Sequence, residues 1–121
     1  MAVALIVGGI HMIRNRAAVQ GSIVVPALSS EAKAGEIAFT TYCVECHGKN
    51  AAGTDKGPPL VAQIYGPLHH GDFSFVRAVT LGVSQHHWLF GSMPPMPQVE
   101  RSQVDRITVY IRELQRANGI H

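Results

Sequence analysis

Residues 43–47 read Cys-Val-Glu-Cys-His, and this pentapeptide constrains the chain more than any other stretch. Two cysteines three positions apart, followed at once by a histidine, form the C-x-x-C-H pattern for covalent attachment of a c-type haem. Two thiols one helical turn apart can each form a thioether to one vinyl group of a porphyrin, while the next residue faces the iron. Cys43, Cys46 and His47 would therefore fix the plane, the rotation and one axial ligand of a single haem c.

Other uses of a C-x-x-C pair fit this chain less well. A structural zinc site usually takes four ligands, often from two such pairs, and the chain has only two cysteines, although its seven histidines could supply the rest. A dithiol redox motif is expected beside a strand in a βαβ unit, whereas residues 30–42 have a helical pattern. A disulfide across two residues closes too small a loop to stabilise much.

Length and charge indicate one small domain and exclude some partners. The chain has 121 residues and a formal charge of +2. From residue 29 onward, eight Lys and Arg balance eight Asp and Glu, so nothing indicates nucleic acid as a partner. A domain of about 90 residues has a modest core, and we expect it to be poorly folded without the haem.

Residues 1–18 form an apolar segment that ends in Arg14 and Arg16. A spanning helix needs about 20 apolar residues, and a secretory signal normally begins with a positive region that is missing here. The segment is interpreted as a membrane anchor or a helix packed on a membrane partner, with a signal remnant as the alternative. Residues 19–29, which contain Gly21 and Pro26, are predicted to be a linker.

Three helices are predicted in the domain at residues 30–121, and no strand-like alternation occurs, so the fold class is all-α. The first begins at Ser29 or Ser30 and ends near Tyr42, with Ala34, Ile37, Ala38 and Phe39 on its buried face. The second is capped by Asp72 or Ser74, ends before Gly82, and has Phe73, Phe75, Val76 and Val79 as its core residues. The third begins near a Ser102–Asp105 capping box and buries Val104, Ile107, Ile111 and Leu114.

Two irregular stretches rich in glycine and proline separate these helices. The stretch at 48–71 is long for a compact domain, as expected if it wraps around a cofactor. The stretch at 83–98 carries Met93 and Met96 among prolines that stiffen the backbone. A stiff loop that carries a thioether sulfur is suited to a second axial ligand.

This order of elements resembles the class I cytochromes c over roughly residues 30–118. The family's Gly-x-x-x-Phe/Tyr pair on the first helix matches Gly35 and Phe39, with Tyr110 opposite them. Its Gly-Pro-x-Leu motif matches the stretch from Gly57 to Leu60. The resemblance implies that the Pro58 carbonyl accepts a hydrogen bond from the proximal imidazole, that Leu60 lies at the haem, and that Met93, from Met-Pro, is the distal ligand.

Several side chains keep alternatives open. Met96 could replace Met93, or otherwise packs at the haem edge. His86 or His87 could make a bis-histidine haem, although a loop histidine is more often solvated, and His69 and His70 are expected to be exposed. Trp88 is interpreted as core beside the haem, with an N–H within reach of a propionate. Arg77 either pairs with a propionate or is solvated.

The predicted function is that of a one-electron carrier with a six-coordinate His47/Met93 haem and no small-molecule substrate. It would work alone or as a cytochrome subunit of a respiratory or photosynthetic electron-transfer complex, with other redox proteins as partners. The alternative is a haem sensor or peroxidase-like enzyme in which the distal methionine leaves the iron. By analogy with the family, c-type haem attachment places the domain on the periplasmic side of a bacterial membrane.

Overall fold

The computed structural model describes residues 23–121, which contain four α-helices. The all-α prediction is confirmed for this part of the chain, where an isolated bridge between Val83 and Met93 is the only strand-like pairing. The predicted anchor and residues 19–22 of the predicted linker lie outside the described residues. No helix within 23–121 is long and apolar enough to span a membrane. The helices are α1 (Ser30–Tyr42), α2 (Val44–His47), α3 (Phe73–Leu81) and α4 (Arg101–Ala117), with short 3-10 turns at Lys49–Ala51 and Gln63–Tyr65.

The core lies where α1 crosses α4. Gly35 is buried at the crossing, and a Cβ added there would lie 1.9 Å from the carbonyl oxygen of Arg106, so only glycine permits this close approach. One turn further along α1, the Phe39 ring packs against Tyr110 at 5.6 Å between centroids. The predicted stripe of α4 is confirmed, since Val104, Ile107, Ile111 and Leu114 are all buried.

Two of the predicted helix faces need correction. Ile37 is 70% exposed, because α1 buries a narrow face of small residues and Phe39 against α4. Phe73 is 66% exposed, and no residue of α3 is fully buried. The inner side chains of α3, Phe75, Val76 and Val79, pack against the core while Phe75 and Val79 also line an open cleft.

The helix ends show which of the predicted caps form. Ser29 caps α1 by accepting a hydrogen bond from the Ala32 amide, and it also donates its own amide and hydroxyl to the Glu113 carboxylate of α4. The capping box of α4 pairs Glu100 with Gln103, so the prediction of a box starting at Ser102 was wrong by two residues. The Glu100 carboxylate accepts from the Gln103 amide, and the Gln103 side chain accepts from the Glu100 amide at 3.0 Å.

Arg112 of α4 fastens the irregular stretch before α3 to the helical core. Its guanidinium is buried and donates to the Tyr65 carbonyl at 2.7 Å, to the His70 carbonyl, and to the Asp72 carboxylate at 2.9 Å. Asp72 occupies the N-cap position of α3 but makes no capping bond, because its carboxylate is bound to Arg112. The loop that leads into α3 is therefore held in one place by one charged side chain.

Candidate functional site

The C-x-x-C-H motif forms the short helix α2, directly after α1. The His47 amide bonds the Cys43 carbonyl at 2.9 Å, and the chain then turns at Gly48, where φ is 79°. Gly57 lies against the same helix, and a Cβ there would come within 2.7 Å of the Cys46 carbonyl oxygen. Glycine at position 57 therefore lets the Gly-Pro-Pro-Leu segment pass directly beside the motif.

The His47 ring is oriented by that segment. Its Nδ1 lies 2.9 Å from the Pro58 carbonyl oxygen, which is the contact that the family resemblance implies. Because a carbonyl can only accept, Nδ1 carries the proton and Nε2 keeps a free lone pair. Burial lowers the pKa of His47, and this outweighs the opposite effect of the hydrogen bond to Pro58. The ring is therefore neutral at pH 7, as a metal ligand must be.

The two cysteines differ in their surroundings. Cys43 is half-buried in the cleft wall, Cys46 is exposed, and both are free thiols. Burial, with a smaller contribution from Cys46, raises the pKa of Cys43 to about 11. The Cys43 thiol is therefore neutral at pH 7, which suits its place in an apolar wall.

An apolar cleft opens between α2, α3 and the loop at 83–93. The cleft is open to solvent on one side, and the space between its walls, including that open mouth, is about 1030 Å³. None of its lining residues is Asp, Glu, Lys or Arg. The predicted site residues that line it are Cys43, His47, Pro58, Leu60, Trp88 and Met93, and Cys46 lies on the adjoining turn of α2.

The loop at 83–93 is fixed to the rest of the domain by backbone hydrogen bonds. Met93 and Val83 exchange both of theirs, at 2.8 and 2.9 Å, and the Met96 amide bonds the Val79 carbonyl at 2.7 Å. Met93 lines the cleft, whereas Met96 is absent from its lining and packs against the core. The choice between the two sulfurs as a distal ligand stays a prediction, with Met93 in the better position.

The structure adds Tyr65 and His70 to the cleft, and neither was predicted there from the sequence. The Trp88 indole N–H donates to the Tyr65 hydroxyl at 2.9 Å, so it has a protein partner. His70 is half-buried and bonds the Ile64 carbonyl through Nδ1, so the prediction that it is exposed was wrong, while His69 is exposed as expected. Arg77 is also exposed. The turn at 63–70 brings Tyr65 and His70 into the cleft. No sequence motif marks either residue, so the sequence alone did not predict their position.

The arrangement fits a covalently held haem. The cleft is apolar, it has a neutral imidazole with a free lone pair on one side, and a thioether residue lines it on the loop at 83–93. Cys43 and Cys46 are not joined in a disulfide, so the sulfur of each could form a thioether bond. Zinc would require further ligands next to the thiols. The ring nitrogens of His70, His86 and His87 instead form a group of their own, which contains neither cysteine.

One comparison with known proteins gives a match. A protein-family model described as "Cytochrome c" matches residues 32–115, which is more than half of the chain. The match runs from the first turn of α1 almost to the end of α4, and so includes the motif, the cleft and the loop at 83–93. No curated protein and no solved structure matches the chain at a significant level.

Proposed function

Because this chain belongs to the cytochrome c family, whose function is haem-based electron transfer, we propose that it is a one-electron carrier with a six-coordinate haem c. In this proposal Cys43 and Cys46 hold the haem, and His47 and Met93 are its axial ligands. The haem, when bound, would supply the Fe(III)/Fe(II) couple. The protein would supply the ligands, exclude water, and expose an edge to partners.

The position of Met93 is the observation that carries the proposal. Met93 and His47 line the same cleft, and both the amide and the carbonyl of Met93 are hydrogen-bonded to Val83. A loop held in this way keeps a sulfur in place without needing the iron to position it. With both axial positions filled, no coordination site is left for oxygen or peroxide, which favours a carrier over an enzyme.

The axial assignment is tested with two methionine variants of the haem-loaded protein. Met93→Ala should abolish the methionine-to-iron charge-transfer band of the ferric protein and lower the midpoint potential. Met96→Ala is the matched control, because it removes a sulfur from the same loop, and it should keep the band. The assignment to Met93 is wrong if Met96→Ala loses the band and Met93→Ala retains it.

Ligand binding tests the carrier against the sensor or peroxidase-like alternative. The wild-type ferric protein should be low-spin, and the ferrous protein should bind CO slowly or not at all, because no coordination site is open. A high-spin resting state, or fast binding of CO and cyanide, would favour an enzyme or sensor in which the methionine dissociates.

We further propose that the carrier works on the periplasmic side of a bacterial membrane, as part of a respiratory or photosynthetic electron-transfer chain. The haem chemistry of the family and the apolar residues 1–18 support this proposal. The full-length protein should sediment with membranes and remain there after a high-salt wash. Release by salt alone would count against an inserted anchor.

A further inference from the structure

Three histidines at the edge of the cleft bring their ring nitrogens together. One ring nitrogen from each of His70, His86 and His87 lies within 4.8 Å of the other two. The rings of His86 and His87 are 4.0 Å apart between centroids, and those of His70 and His87 are 5.7 Å apart. His70 comes from the turn before α3, whereas the other two come from the loop at 83–93, so this cluster exists only in the folded chain.

Backbone carbonyls accept hydrogen bonds from two of the three rings. Nδ1 of His70 lies 2.6 Å from the Ile64 carbonyl oxygen, and Nδ1 of His86 lies 2.7 Å from the Ser84 carbonyl oxygen. Each Nδ1 therefore carries the proton, and each Nε2 presents a lone pair. A carbonyl or carboxylate on the second nitrogen is the arrangement usual for histidines that bind metals.

Both segments that carry the cluster are held in place by other contacts. The His70 amide bonds the Gly66 carbonyl at 2.9 Å, and the His70 carbonyl accepts from Arg112. In the other segment, Gln85 accepts from the Gly91 amide at 2.7 Å and donates its own amide to Ser92 at 3.2 Å. The cluster is thus largely formed before any ligand arrives, which lowers the entropy cost of binding.

Charge and exposure favour a cation at this place. Among residues 23–121, no Asp, Glu, Lys or Arg lines the cleft, so no ionic side chain of this part of the chain pairs with the three imidazoles inside it. His86 and His87 are exposed, so an ion can enter from solution and keep a water as its fourth ligand.

We propose that His70, His86 and His87 form a binding site for a divalent transition-metal ion of the Zn²⁺ type, separate from the haem iron. Three neutral imidazoles suit zinc, copper or nickel, and they do not suit Mg²⁺ or Ca²⁺, which prefer oxygen ligands. In a tetrahedral site with Zn–N bonds of about 2.0–2.1 Å, the nitrogens lie about 3.4 Å apart. The exposed His87 side chain can rotate to shorten its distances to the other two rings, which keep their bonds to backbone carbonyls.

The test is titration of the haem-loaded protein with Zn²⁺ by calorimetry, with Mg²⁺ as the comparison ion. Wild type should bind one Zn²⁺ at this site and no Mg²⁺. Both His86→Ala and His87→Ala should weaken Zn²⁺ binding by at least about tenfold. His69→Ala is the matched control, since it removes an exposed histidine next to His70 and should leave the affinity unchanged within about twofold.

Further measurements distinguish metal binding by the three histidines from a role in folding and from ligation of the haem iron. Near-UV and Soret circular dichroism should show that each variant keeps the wild-type fold. The proposal is overturned if His69→Ala weakens Zn²⁺ binding as much as the cluster variants do, or if wild type binds Zn²⁺ no better than a variant lacking all three histidines. It is also overturned if His86→Ala or His87→Ala changes the axial-ligand bands of the haem, since that would place the imidazole on the iron.

Discussion

Replacing Gly35 by alanine tests the crossing of α1 and α4 on which the fold depends. The added Cβ would meet the Arg106 carbonyl oxygen at 1.9 Å, its carbon at 2.5 Å and the Tyr110 Cβ at 2.9 Å. Because ordinary van der Waals contact begins near 3.4 Å, the two helices would have to separate by about 1.5 Å at this point. The main obstacle is backbone, so no side-chain rotation can relieve it.

The expected size of the effect comes from two opposing contributions. Overpacking of a core costs roughly 1–3 kcal/mol, and a clash with backbone belongs at the upper end of that range. Alanine in place of glycine within a helix gains about 1 kcal/mol. We therefore expect Gly35→Ala to lower the free energy of unfolding by about 2 kcal/mol, which corresponds to a fall of about 10 °C in Tm for a domain of this size.

Urea unfolding of the haem-loaded protein, followed by far-UV circular dichroism, measures this change. Gly71→Ala is the matched control, because Gly71 is exposed and its added Cβ would have no neighbour within 4 Å. That variant should stay within about 0.5 kcal/mol of wild type. Because the gain in helix propensity is already included in this estimate, a Gly35→Ala variant as stable as wild type would refute the close crossing of α1 and α4.

Two further predictions concern buried groups of α4. Arg112→Lys should lower the free energy of unfolding by roughly 2 kcal/mol, because a lysine ammonium lacks the fork geometry that bonds Asp72 and two backbone carbonyls. Arg116→Lys is the matched control, since Arg116 is exposed, and it should change the free energy of unfolding little. Hydrogen exchange at residues 65–72 should show whether the loop is loosened, and unchanged protection in Arg112→Lys would contradict the role given to Arg112. Burial, and to a lesser degree Glu36, raises the pKa of Tyr110 from 10.0 to about 12. The neutral Tyr110 phenol therefore stabilises the fold below pH 10, and this stabilisation is lost as the pH rises towards 12. Wild type should therefore lose stability relative to Tyr110→Phe above pH 10 in urea unfolding, and parallel curves for the two proteins from pH 8 to 12 would show that Tyr110 ionises normally.

The parts of the fold that local patterns specify were predictable from the sequence. The bounds of α1 are explained by its serine cap, and the buried stripe of α4 is explained by apolar residues at intervals of three and four. The exposure of Ile37 was not predictable in this way. Ile37 is apolar and helical, but the face that α1 buries consists of Ala32, Gly35, Ala38 and Phe39, and Ile37 lies outside it.

In the candidate site, too, the residues marked by a short sequence motif were predictable and the others were not. Cys43, Cys46 and His47 are recognisable because their spacing alone encodes the chemistry, and Pro58 is recognisable because a short motif carries it. Tyr65 and Arg112 have no such spacing. Tyr65 contacts Trp88, 23 positions later, and Arg112 reaches back about 40 residues to the turn before α3. Contacts across such distances depend on how two irregular segments pack, which no periodicity records.

The three clustered histidines owe their proximity to the packing of two irregular segments. Considered singly, His70, His86 and His87 each have the sequence context of a solvated loop residue. The turn at 66–70 is fastened to α4 through Arg112, and the loop at 83–93 is closed by the bridge between Val83 and Met93. The hydrogen bonds that shape the cleft for a cofactor therefore also bring the three imidazoles together. The proposed metal site and Met93 therefore share one loop, and the backbone bonds between Val83 and Met93 hold both in place.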